Sequence, residues 1–315
     1  MTKQQPKQRI EILNVKVNNL SKTEVLNRIS QYLSKIKSSG RFPQTASKYI
    51  VTPYSEFFIK AARDPDFRNI LNKAFLSLPD GVFIQWASYY NSLLEKYTFR
   101  PQNLLAKFAN LCITVFLYCV SGAMIILKPS KVKSIINERI PGSVFVYDLV
   151  NLSAVKGYKI AILGGYDFGS GNTGVLAANL FKQKHPELEI VEIYPGTREK
   201  EEFGEKVVQI LKESNADILL CAYGPVRQEK WLAQNLSKTG IPLAIGLGGT
   251  LDYVSGAKKL PPKWIRKIGL EWFFRPFFAE GLNPKRFIKR LMRAWPAMIV
   301  SSILVLEKNL QIYVF

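Results

Sequence analysis

From residue 140 onward the chain keeps one rhythm, and that rhythm restricts the fold more than any single motif does. Apolar runs at 158–163, 189–193, 217–222 and 242–246 alternate with helical stretches near 173–184, 199–213 and 228–236. A strand that is apolar along its whole length, rather than at every second position, is buried on both faces. Strands and helices taking turns at this spacing predict an α/β fold: a parallel sheet covered by helices on both faces. Ligands of such sheets gather at the carboxyl ends of the strands. The residues just past each run are therefore where chemistry is to be sought.

The first 140 residues follow the same plan less regularly. Alternation over 10–17 predicts a strand, and Ser21 with Glu24 forms the capping-box opening of a helix running to about residue 37. A β-rich run at 48–52 precedes a helix at 53–63, and 75–78 reads as a short buried strand ending in Pro79-Asp80-Gly81. Two segments break the pattern. Residues 111–127 are seventeen uncharged positions between Lys107 and Lys128. Residues 258–308 hold twelve Lys or Arg against three Glu, net +9, interleaved with Trp264, Trp272, Phe273 and Trp295 among other aromatics. The division expected is a core over 1–255, interrupted by a hydrophobic helical insertion at 92–138, then a basic helical appendage at 256–315.

A formal charge of +20 attracts nucleotide diphosphates, nucleic acid or an anionic membrane face without choosing among them. No nucleic-acid module is recognisable, so no nucleic-acid partner is expected. Cys112, Cys119 and Cys221 have no paired spacing, which favours a reducing compartment. His185 is the only histidine and sits in a polar stretch, so a serine-type triad and a histidine zinc site are unsupported. The first nine residues are polar and basic with no apolar stretch behind them, and no signal peptide is expected.

Asp80, just past a buried strand and before a glycine, is placed either to take a proton in the ligand crevice or to cap the next helix. Thr52 ends the preceding strand, where its hydroxyl orients a substrate or shapes a turn. Gly164 and Gly165 follow the strand at 158–163; they admit a phosphate to the backbone or make a tight turn. Their spacing is not G-x-G-x-x-G, which weakens a dinucleotide reading. Asp64-Pro65-Asp66 has the look of a metal-binding D-x-D but lies between helices, and a helix start is expected there. Arg227 and Gln228 begin a helix at the presumed ligand edge, suited to phosphate and sugar hydroxyls respectively. Gly248 and Gly249 repeat that arrangement one strand later.

Taken in order, these pieces resemble the WecG/TagA/CpsF glycosyltransferases, family 26 of that enzyme class. The matching text is ILNV (12–15), VTPYSE (51–56), RDPDFR (63–68), LPDG (78–81), ILGG (162–165), GPVRQEKW (224–231), GLGGTLD (246–252) and PPKWIRKIGLEWFFR (261–275). The resemblance covers most of 10–290 apart from about 92–138. It implies a Rossmann-like domain and an inverting, metal-independent transfer of N-acetylmannosamine, its uronic acid or a related hexose. The donor implied is a UDP-sugar, and the acceptor a polyprenyl-diphosphate-linked sugar of cell-surface polysaccharide or teichoic acid synthesis. Asp80 falls on the family's proposed general base, Thr52 and Gln228 on its substrate-binding residues. Arg266, Arg275 and Arg290 become the candidates for the UDP diphosphate, since without a cofactor metal a guanidinium must meet the leaving group's charge. Two departures stand out: Tyr54 replaces the family's usual Asn, and the usual G-S-P-K-Q-E reads G-P-V-R-Q-E.

The insertion is foreign to that pattern. Seventeen helical residues reach about 26 Å, short of a hydrocarbon core of about 30 Å. Asp80 precedes the run and Gln228 follows it, yet both must meet one substrate on one side. A re-entrant or in-plane segment is expected, at the cytoplasmic face of the membrane, with the basic and aromatic tail on the same anionic surface. A buried helix or a homo-oligomer contact is the other use of such a run. Two rival functions are a Rossmann-type oxidoreductase built on the glycines after Leu163, and a non-catalytic membrane adaptor that retains the fold.

Overall fold

The apolar runs do form a sheet buried on both faces. The computed structural model describes residues 8–39, 47–127, 136, 138–167, 169, 171–195, 204–267, 271 and 299–312, with the backbone only at 126, 266 and 267. Six strands make the sheet: β3 (Lys48–Val51), β4 (Leu76–Ser77), β5 (Ile160–Gly164), β6 (Ile190–Tyr194), β7 (Ile218–Ala222) and β8 (Leu243–Gly246). They are parallel throughout, in the order β4-β3-β8-β7-β5-β6. Residues of β5, β7 and β8 are buried at every position. The expected α/β class is what the chain adopts.

Helices cover both faces. On one side α1 (Lys22–Ser39), α6 (Gly142–Lys156), α7 (Thr173–Lys184) and α10 (Thr250–Val254) close a core around Phe145, Leu149 and Phe181. On the other, α8 (Glu205–Glu213) and α9 (Arg227–Thr239) bury Val207, Leu211, Trp231 and Leu236. The capping box at the head of α1 is present: the Ser21 N–H donates to Glu24 Oε2 at 2.7 Å, and the Glu24 N–H to Ser21 Oγ at 3.3 Å. The alternating stretch at 10–17 is not one strand. It is an antiparallel hairpin, β1 (Arg9–Ile12) and β2 (Val15–Asn18), turned by Leu13 and Asn14 at φ 49° and 63°. Two left-handed residues suit the twist of a hairpin, yet Leu-Asn is not the usual pair for it, so the turn was invisible in the sequence.

A third core lies beside the sheet edge, between the hairpin, α2 (Ser55–Arg63), α3 (Pro65–Lys73) and α4 (Val82–Tyr97). Asp64 explains the D-x-D: its carboxylate accepts the Phe67 N–H at 2.9 Å as the N-cap of α3, with Pro65 in the first turn. That bond and the neighbouring Lys230 hold the Asp64 carboxyl down at about 2. The motif is a helix start, as expected.

The insertion forms α5 (Leu104–Leu127), 24 residues and about 36 Å long. This exceeds the seventeen-residue run because the helix starts seven positions earlier, at Leu104, with Lys107 inside it; its first turn is capped by Asn103, which accepts the Ala106 N–H at 2.8 Å. Its polarity is inside out. Asn110, Thr114 and Ser121 face α4, where Trp86 Nε1 donates to Ser121 Oγ at 3.1 Å and the Tyr90 hydroxyl to the Thr114 carbonyl at 3.1 Å. The opposite stripe presents Leu104, Leu105, Phe108, Val115, Phe116 and Leu127, all exposed. A further helix, α12 (299–312), buries Val305 against the same unit, and the Tyr118 and Ser302 hydroxyls lie 2.9 Å apart. The excursion leaves and re-enters at one place: the Ile140 N–H donates to the Pro79 carbonyl at 2.9 Å, and the Gly142 N–H to Asp80 Oδ2 at 3.3 Å.

Candidate active site

Every described candidate lies on the carboxyl edge of the sheet. Thr52 follows β3, Asp80 follows β4, Gly164 and Gly165 end β5, Arg227 and Gln228 follow β7, and Gly248 and Gly249 follow β8. This convergence results from parallel strands alone, since every carboxyl end then points the same way.

Asp80 is half-buried. The N-cap of α4 is Gly81, at φ 109° and with no side-chain capping bond. The Asp80 carboxylate turns instead to the first turn of α6, where it accepts the Gly142 N–H. A helix N-terminus presents partial positive charge to that carboxylate. A Cβ on Gly142 would lie 3.4 Å from Thr52 Cγ2 and 3.7 Å from Thr250 Oγ1, which places both threonines beside this bond. Asp80, Thr52 and Thr250 thus surround one glycine.

The floor of the crevice is a buried polar group. Thr52 Oγ1 donates to the Gly246 carbonyl at 3.2 Å. Gln228 is 1% exposed: its Nε2 donates to Glu229 Oε1 at 2.6 Å, and its Oε1 accepts the Gly248 N–H at 2.8 Å. Gln228, expected to meet sugar hydroxyls, is thus bonded to the protein at both ends of its amide. Glu229 is fully buried, and its other oxygen accepts the Val226 N–H at 2.7 Å. Burial pushes the Glu229 carboxyl up to about 7, against the bonds from Gln228 and Val226, which favour the anion.

The rim is aromatic and basic. The Arg227 guanidinium lies over the Tyr223 ring at 4.9 Å and donates to the Tyr166 hydroxyl at 3.2 Å, with its side chain exposed. Gly248 and Gly249 stand at the mouth. Gly164 and Gly165 have a packing reason of their own. A Cβ on Gly164 would stand 2.5 Å from the Ala222 carbonyl oxygen, and one on Gly165 would stand 2.4 Å from the Gly174 nitrogen. Asn172 ties this turn by accepting the Gly174 N–H at 2.8 Å and donating to the Gly165 carbonyl at 3.2 Å.

Three partners went unread in the sequence. Asp252 on α10 is 4% exposed; Lys258 Nζ meets its Oδ2 at 2.5 Å and Thr173 Oγ1 donates to its Oδ1 at 3.1 Å. The Tyr166 N–H in turn donates to Thr173 Oγ1 at 3.1 Å, which joins this group to the Arg227 rim. The one available signal was an aspartate inside an otherwise apolar stretch after a glycine loop. Arg275 and Arg290 lie outside the described residues, and Arg266 falls in α11 (Lys263–Lys267) with only its backbone described. His185 ends α7, away from the crevice residues in the fold.

Comparison with known proteins gives two findings. A model of the "Glycosyl transferase WecG/TagA/CpsF family" matches residues 10–118 and 99–311. Among curated proteins, the chain is 26% identical over 159 residues to an "N-acetylglucosaminyldiphosphoundecaprenol N-acetyl-beta-D-mannosaminyltransferase" of Staphylococcus aureus strain MRSA252, covering 50% of this chain and 60% of the relative. The protein of the same description from strain NCTC 8325 / PS 47 is 28% identical over 160 residues, with the same coverage. The chain thus spans about three-fifths of the length of the relatives it matches.

Proposed function

The chain belongs to the WecG/TagA/CpsF glycosyltransferase family, and from that premise we propose that it transfers N-acetylmannosamine, or a close relative of it, from a UDP-sugar to a polyprenyl-diphosphate-linked acceptor sugar. The relatives' description names a mannosaminyl transfer to N-acetylglucosaminyldiphosphoundecaprenol. The observation that carries the reading is the Asp80 carboxylate on the carboxyl edge of the sheet, beside Thr52 and the loop after β8.

In the proposed reaction Asp80 takes the proton of the acceptor hydroxyl as its oxygen attacks the anomeric carbon. The bond from that carbon to the UDP oxygen breaks with inversion, and UDP departs with the electron pair. Arg227 at the rim, and Arg266, Arg275 and Arg290 of the appendage, are the groups proposed to meet the negative charge that develops there. No metal or other cofactor enters the scheme.

The acceptor's lipid requires the site to work at a membrane, and the outer stripe of α5 supports this. A helix that hides Asn, Thr and Ser while exposing Leu and Phe has the polarity of a lipid-facing element, the reverse of one facing water. Its length would permit a crossing, so length no longer argues against one. Its packing along α4 and α12 does, because α4 begins two residues after Asp80 and α12 packs on the same core. The reading kept is an in-plane contact on the cytoplasmic face. Phe108→Asp combined with Phe116→Asp should weaken co-sedimentation with anionic phospholipid vesicles by roughly 100-fold, from the apolar burial that two phenylalanines lose. Unchanged sedimentation would remove α5 from the membrane contact.

The deciding experiment incubates the chain with UDP-N-acetylmannosamine and a prenyl-diphosphate N-acetylglucosamine analogue and measures UDP release. Release that depends on the acceptor is expected. Silence with this donor, its uronic acid and related UDP-hexoses would leave family membership standing and remove the reaction.

A further inference from the structure

We propose that the buried Gln228–Glu229 pair is a positioning clasp, which holds the turn before α9 and the loop after β8 in the geometry that the transfer reaction uses. Four observations carry it. Both side chains are almost wholly buried. The Glu229 oxygens each accept a different donor, Gln228 Nε2 at 2.6 Å and the Val226 N–H at 2.7 Å. Gln228 passes the connection on to the Gly248 N–H. Gly246 approaches so closely that a Cβ there would lie 2.7 Å from both the Gln228 amide nitrogen and Glu229 Oε1.

The clasp also accounts for a strained residue. Val226 has φ 69° and ψ −47°, a conformation in which a β-branched side chain is crowded. Its N–H is bonded to Glu229, so the carboxylate holds the strained turn in place. From there the connection runs through Gln228 to Gly248, and through Gly246 to Thr52 beside Asp80. Glu229 thus acts through its neighbours and touches no substrate.

Two accepted N–H bonds require both oxygens to act as acceptors, which the anion does best. Burial nevertheless raises the Glu229 carboxyl to about 7, so the clasped geometry favours the protonated form, and ionisation as pH rises through about 7 should loosen the clasp. The titratable groups facing it are Tyr49 from β3 and Cys221 from β7, both of them raised mainly by burial and secondarily by Glu229. Lys230, next on α9, is paired with Asp64. Global stability runs the same way. A carboxyl raised in the folded state contributes stability that is present below its unfolded value near 4.5 and is lost as pH rises through about 7.

The test is hydrogen exchange by mass spectrometry on peptides covering 224–229 and 246–250, with turnover measured in parallel. Glu229→Gln sets an N–H₂ against a donor, and should raise exchange at Val226 and Gly248 at least tenfold while β5 and β7 keep their protection. In the wild-type chain, exchange at these amides, corrected for its intrinsic pH dependence, should be slower at pH 6 than at pH 8. That arm stands even if the variant fails to fold. Unchanged exchange in both arms overturns the clasp. The kinetic arm rests on the glycosyl-transfer reading: kcat should fall at least tenfold in Glu229→Gln and lose the part of its pH dependence centred near 7, with donor KM changed less. A variant with faster exchange but wild-type kcat also overturns the proposal. A wild-type chain that releases no UDP, yet shows both exchange effects, sinks the reaction and keeps the clasp.

Discussion

Asp80→Asn should lower turnover by about 10²–10⁴-fold, the usual contribution of a positioned proton acceptor, while leaving UDP affinity within a few-fold. The substitution is nearly isosteric, and its amide oxygen can still accept the Gly142 N–H, so the start of α6 keeps its partner. What disappears is the ability to hold the acceptor's proton as the new bond forms. Turnover measured by UDP release, with UDP binding measured by calorimetry on the same preparation, separates the two effects. Retained turnover would move the base elsewhere and favour an adaptor that keeps the fold without its chemistry. Loss of UDP binding together with turnover would show that the carboxylate supports the nucleotide site instead.

Lys258→Met should destabilise the folded chain by about 3–5 kcal/mol, because it strands the Asp252 carboxylate in the interior with Thr173 as its remaining described side-chain donor. Removing the second charge as well, in Lys258→Met with Asp252→Asn, should recover most of that loss, since a buried ion pair and a neutral replacement often differ little. Urea unfolding of the two single variants and the double variant measures the coupling directly. A single-variant loss below about 1 kcal/mol would mean that water reaches the Asp252 carboxylate and that the pair is merely a surface contact. The same two residues are joined through the backbone as well, the Lys258 N–H donating to the Asp252 carbonyl at 2.8 Å.

Much of the fold was readable, for one physical reason. Strands such as Ile160–Gly164 and Ile218–Ala222 are buried on both faces, and no polar position interrupts them. Asp80 and Thr52 could be named because parallel strands send their carboxyl ends to one edge. What could not be read depends on contacts distant in sequence. Thr173 and Asp252 are separated by 79 positions, and no local pattern announces their bond. Gln228 was placed at the correct edge, but its burial comes from the close approach of Gly246, which the sequence around Gln228 does not contain. The length of α5 was underestimated because the apolar run was counted from Leu111, whereas the helix starts at Leu104 and takes in Lys107 and Asn110. A lysine within a helix can lead its charge to water while its stem stays on apolar surface.

The neck at Pro79 and Asp80 has an evolutionary consequence. Some sixty positions depart after Asp80 and come back to it, and among the described residues no strand of the sheet lies between, so the detour begins and ends at one point of the sheet edge. Beyond the buried face of α4, which packs with the hairpin, sequence can be gained or lost there without shifting the register of a single strand. Lineages with other bilayers, or other lipid carriers, would be free to refit the docking gear while inheriting the reaction chamber unaltered.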